Sequence, residues 1–128
     1  MVRKNLTNNE IYGIAMVLLE NEIPQLNLSL PVKVNFYLQK NVTAIVNMAK
    51  EVEATRNEIL QQYGKLEEDG NYTFEGDNLE KANQELADLF ALQQEVPVYE
   101  ISLDAFNNVE LTSNQVKAIS YMIKEEEE

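Results

Sequence analysis

The stretch PVKVNFYLQKNVTAIVNMAKEVEATRNEILQQYG, Pro31 to Gly64, decides the fold. Within it Leu38, Val42, Ile45, Ala49, Val52, Arg56, Ile59 and Tyr63 follow one another at alternating spacings of four and three. That is the rhythm of a helix packing lengthwise against another helix. Pro31 suits the first turn, where its missing N–H costs nothing, and Gly64 suits the C-terminal cap. Such a helix is about 50 Å long at 1.5 Å per residue. Its first half, with Val32, Val34, Phe36, Tyr37 and Leu38, reads as core. Its second half is polar outside the stripe and reads as an exposed arm. Arg56 interrupts the stripe: it pairs with a glutamate of a partner helix, or it snorkels at the end of the packed region.

Working outward, Thr7-Asn8-Asn9-Glu10 is a capping box that opens a first helix, about Asn8 to Glu22, with Ile11, Ile14, Ala15, Val17 and Leu18 on its apolar face. Pro24 stops it. Leu26, Leu28 and Leu30 alternate, as in a short extended segment lying on the core. After the long helix, Asp69-Gly70-Asn71 signals a turn and Tyr72-Thr73-Phe74 a short strand. Asp77-Asn78-Leu79-Glu80 reads as a second capping box. The helix it opens, to about Gln94, carries Leu79, Ala82, Leu86, Leu89 and Phe90 on one face and forms a hairpin with the long helix. Val96 to Leu103 alternates as a strand, with Pro97 pushing its start to an edge. Asp104 to Asn108 is a turn. Thr112-Ser113-Asn114-Gln115 is a last capping box, before a short helix with Val116, Ile119, Met122 and Ile123. Glu125 to Glu128 is an acidic tail that frays.

The expected fold is therefore mainly α with a small β element (α+β), in which Tyr72–Phe74 and Val96–Ile101 supply the strands. The 128 residues make a single domain, with an exposed helical arm over about 46–94. The two end helices resemble each other: Leu6-Thr7 to Ile11 parallels Leu111-Thr112 to Val116. Convergence of two capped amphipathic helices on one chemistry explains this better than a duplicated docking element.

Composition narrows the chemistry. The chain has no cysteine and no histidine, so thiol chemistry, iron–sulfur ligation and His-based triads are excluded, and the commonest zinc ligand is absent. Asp69, Asn71, Thr73, Glu75, Asp77 and Glu80 fall at the ligand positions of an EF-hand-like loop, but Phe74 stands where that loop needs glycine, so no metal is expected. The carboxylates lie in solvated patterns, and the four glycines form no phosphate loop. No catalytic residue and no cofactor are expected. The formal charge of −12, from 10 basic and 22 acidic residues, disfavours direct nucleic-acid binding and anionic membranes. No basic patch with interleaved aromatics stands out. The N-terminus carries no apolar signal region, so secretion by a signal peptide is not expected, and no apolar run is long enough to span a bilayer.

One resemblance adds to this reading. Leu30-Pro31-Val32-Lys33-Val34, Gln39-Lys40-Asn41-Val42, Gln62-Tyr63-Gly64, Gly70-Asn71-Tyr72, Leu103-Asp104 and Leu111-Thr112 together resemble a family of small uncharacterised proteins encoded by tailed phages and prophages of Gram-positive bacteria. The resemblance implies a phage or prophage source and a place in the host bacterial cytoplasm or the virion. It brings no catalytic residues. The expected function is non-enzymatic: a virion component or assembly accessory that forms a homo-oligomer through the seam Leu38, Val42, Ile45, Ala49, Val52, Arg56, Ile59 and Tyr63, with other phage proteins as partners. The alternative is an inhibitor of a host defence protein. It would be an acidic mimic masking a basic, nucleic-acid-binding surface, or less readily a sponge for a nucleotide signal.

Overall fold

A computed structural model describes residues 1–23, 30–107 and 109–124. Leu26, Leu28 and the acidic tail lie outside the described residues. The chain runs β1 (Val2–Thr7), α1 (Asn8–Glu20), α2 (Val32–Tyr63), β2 (Gly64–Leu66), β3 (Tyr72–Phe74), α3 (Asn78–Ala91), β4 (Gln93–Val98), a short 3-10 turn at Leu103–Phe106, and α4 (Ser113–Ile119) followed by a second 3-10 turn at Ser120–Met122. The architecture is mainly α with small β elements.

The strands pair differently from the expectation. Tyr72–Phe74 and Val96–Val98 do not share a sheet. β4 pairs antiparallel with β1, from Val2 opposite Val98 to Thr7 opposite Gln93. β3 pairs antiparallel with β2, Gly64 opposite Phe74. The sequence-based reading has no strand at Val2–Thr7, because its polar alternation looks like a leader into the first helix. Pro97 is tolerated because a two-stranded ribbon leaves one edge of β4 without a ladder partner. Val96 and Val98 are fully buried on the inner face of β4, and Glu95 is exposed on the outer one. There Arg3 reaches Glu95 at 3.2 Å, an exposed pair worth about 1 kcal/mol or less.

Local chemistry explains the helix starts. Thr7 Oγ1 accepts from Glu10 N–H, and Glu10 returns the bond to Thr7 N–H, so the first capping box is complete. Thr112 and Gln115 repeat it. The box expected at Asp77 does not form: its side chain makes no cap bond, and its carboxylate lies instead 3.6 Å from Lys81 Nζ. α3 also ends earlier, at Ala91, because Gln93 and Gln94 are drawn into β4. Pro31 is the N-cap of α2. Gly64 follows its last turn, but its backbone is extended rather than left-handed (φ −122°). Glycine is needed there for space: a Cβ would lie 2.8 Å from the ring of Phe74. The left-handed turn comes at Gly70 (φ 86°), between β2 and β3.

The core lies where α1, the first two-thirds of α2, β4 and the 101–122 segment meet. Ile11, Leu18, Ile23, Ile45, Val96, Val98 and Met122 are the largest fully buried apolar side chains. Each large one contributes about 1.5–3 kcal/mol by leaving water. The start of α2 departs in part from the expectation: Val32 is 87 % exposed and Phe36 is 55 % exposed, while Val34 and Tyr37 are half-buried against the core and full burial begins at Leu38.

Candidate functional site

Of the eight stripe residues, Leu38, Val42, Ile45, Ala49 and Val52 are buried inside the chain itself. The first four join the main core with α1 and β4. Arg56, Ile59 and Tyr63 are half-buried. The Arg56 guanidinium lies 3.4 Å from Asn57 Oδ1, and Tyr63 donates its hydroxyl proton to Glu85 of α3 at 3.0 Å. That bond, with the adjacent carboxylate charge, holds the Tyr63 phenol above its ordinary pKa.

The loop weighed as an EF-hand uses its acceptors on itself. Asp69 takes bonds from Asn71 N–H (3.0 Å) and Asn71 Nδ2 (3.2 Å), which keep its carboxyl below the usual range. Glu67 accepts from Thr73 Oγ1 at 2.8 Å. Among the described residues, no group of three or more acidic side chains is placed to hold a metal ion. Among them too, no helix is long and apolar enough to cross a membrane.

Two buried asparagines do what the sequence pattern does not announce. Asn41 sits on α2 beside the stripe and is 1 % exposed. Its Oδ1 accepts from Tyr99 N–H at 2.7 Å, and its Nδ2 donates to Tyr99 C=O at 2.8 Å. The side chain thus pairs with the backbone just beyond β4 as a neighbouring strand would. Tyr121 adds a bond from its hydroxyl to Asn41 C=O at 3.3 Å, and burial pushes its phenol pKa up. Asn8 is 3 % exposed. Its Nδ2 donates to Leu89 C=O (2.8 Å), its N–H donates to Leu92 C=O (2.8 Å), and its Oδ1 accepts from Gln94 (2.6 Å). It ties the start of α1 to the end of α3. Both are latches that fix how the elements meet. The only signal in the sequence is a polar residue beside an apolar stripe.

A cation–aromatic patch is also present where none was expected. Tyr37 stacks on Tyr99 (centroids 4.9 Å apart), Lys33 Nζ lies 5.6 Å from the centre of the Tyr37 ring, and Lys40 Nζ lies 5.5 Å from that of Phe36. The spacing Lys33–Tyr37 and Phe36–Lys40 carries the signal, since residues four apart share a helix face. The lysines rest on rings of their own helix, an arrangement that packs the surface.

An open groove of about 770 Å³ lies between α1 and α4. Its α1 wall is a stripe at helical spacing: Glu10, Gly13, Ile14, Val17, Glu20 and Asn21. Ala118, Asn114 and Lys117 of α4 form the other wall. Val17, expected in the core, faces the groove at 36 % exposure, while Ile11, Ala15 and Leu18 take the inner face. Gln115 Nε2 reaches Asn21 C=O at 3.5 Å, across the same helix pair. Gly13 is an interior helix residue, and a Cβ there would meet nothing within 4 Å. Glycine in such a place costs about 0.5–1 kcal/mol relative to alanine, and packing among the described residues gives no return for it. Compared with protein-family models, curated proteins and solved structures, the chain matches none.

Proposed function

We propose that this protein works without catalysis of its own, by binding another protein through its outer faces. One observation carries this reading. The stripe from Leu38 to Val52 is consumed inside the chain, while an apolar-floored groove between the end helices stands open. The pairing of α2 with α3, bridged by the Tyr63–Glu85 bond, then serves as the frame. The resemblance in the Leu30–Val34 and Gln62–Gly64 segments supports a phage or prophage source, with action in the host cytoplasm or the virion. The charge of −12 favours a partner with a basic surface. That suits an inhibitor masking a nucleic-acid-binding host protein as well as an assembly accessory.

The test is affinity capture with tagged protein from infected and uninfected Gram-positive lysates, beside a Val17→Glu variant. One partner retained by the unaltered protein and lost with the variant is the expected result. Retention of no partner above a tag-only control, or turnover of a substrate by the purified protein alone, would overturn the reading; equal retention by both would move the contact to another outer face.

A further inference from the structure

We infer that the groove between α1 and α4 seats a basic amphipathic helix of a partner protein. This rests on the protein-binding reading above and specifies its occupant. Gly13 destabilises its own helix relative to alanine, a Cβ there would meet nothing within 4 Å among the described residues, and it opens onto the groove floor. A glycine of this kind fits close approach by a backbone from outside, and Ala118 on the opposite wall is also small. Ile14 and Val17 supply the apolar stripe against which a helix buries a matching one.

Charge selects the occupant. Glu10, whose Oε1 already accepts from Thr7, and Glu20 stand ten positions apart on the α1 wall, about 15 Å along the helix axis. Lys117 opposes them from α4. The occupant that fits carries a small-residue apolar stripe, Lys or Arg near each end of one flank, and an acidic residue on the flank that meets Lys117. A second copy of this chain is disfavoured, because its own α1 would bring Glu10 and Glu20 against the same residues, within a chain of net charge −12. A nucleic acid is disfavoured for the same reason.

The probe is a designed helical peptide of about 18 residues, long enough to hold helix in water, with an Ala/Leu stripe flanked by Lys and Arg. Its control replaces those basic residues with Glu. The full-length, 15N-labelled protein is titrated with each and followed by amide chemical shifts. The expected result is saturable shifts at Gly13, Ile14, Val17 and Ala118 with the basic peptide, and none with the acidic one. Gly13→Leu, which fills the floor without touching the core, should weaken binding at least tenfold. Gly13→Ala should weaken it less while raising Tm by about 3 °C. Shifts confined to another face, or binding indifferent to Gly13→Leu, would overturn the groove assignment and leave the protein-binding reading standing. Equal binding of the acidic peptide would overturn the charge argument. Absence of any binding would overturn the inference, and the lysate capture decides the broader reading independently.

Discussion

The two ends of α2 have similar amphipathic patterns and opposite physical fates. From Leu38 to Val52 every stripe residue is buried, and Asn41 locks the helix to the backbone at Tyr99 with two short bonds. From Arg56 to Tyr63 the same rhythm continues, but the side chains are half-buried and the Tyr63–Glu85 bond is the tie to α3. A heptad rhythm therefore marks which face a helix turns inward; the number of elements that meet that face decides how much stability it carries. The near end meets α1, β4 and the 101–122 segment, whereas the far end meets α3.

The sharpest way to break this contrast is paired truncation. Ile45→Ala should cost about 4 kcal/mol in chemical denaturation, because it empties a fully buried site. Ile59→Ala should cost about 1 kcal/mol or less. Equal losses would show that both ends carry the same load. Next, Asn41→Ala should cost about 2 kcal/mol, since it leaves the half-buried Tyr99 N–H and C=O without their side-chain partner. Asn57→Ala at the far end should leave the denaturation midpoint nearly unchanged. The end helices give a smaller effect: Thr7→Ala and Thr112→Ala should each cost about 1 kcal/mol through a lost cap. A comparable loss on Asp77→Ala would contradict the finding that its side chain caps nothing.

The smallest effect is in alkaline solution. Burial raises the Tyr121 phenol above its ordinary value of 10.0. The folded state then holds a proton that the unfolded chain releases, so stability is full below pH 10 and falls as pH rises toward the raised folded value. Tyr121→Phe should flatten that fall while losing the bond to Asn41 C=O. A denaturation midpoint that falls equally steeply in both proteins above pH 10 would rule Tyr121 out as its source.

What was legible in the sequence is what is local. The caps at Thr7 and Thr112 depend on residues three positions away, and the α2 boundaries on Pro31 and Gly64. What was hidden is non-local. β1 exists only because Val2–Thr7 meets Gln93–Val98, more than eighty residues on. Asn41 finds its partner at Tyr99 and Asn8 finds its own at Leu89. Asp77 carries a cap motif, yet its backbone (φ −92°, ψ 11°) lacks the extended conformation of Thr7 and Thr112, and its side chain makes no cap bond. The groove went unread for a related reason: its walls lie on helices at opposite ends of the chain, and the stripe from Glu10 to Asn21 mixes polar and apolar residues. The likeness of the two capped end helices was visible, but not that they stand side by side.

The central claim is that the stripe from Leu38 to Val52 is closed within one chain. The most direct measurement is light scattering on a size-exclusion column across a dilution series, with amide hydrogen exchange read on the same samples. The account predicts 14.7 kDa at every concentration and slow exchange from Leu38 to Val52 that does not change on dilution. A larger mass, with protection of those amides that falls as the assembly dissociates, would contradict it and return the stripe to an interface between chains.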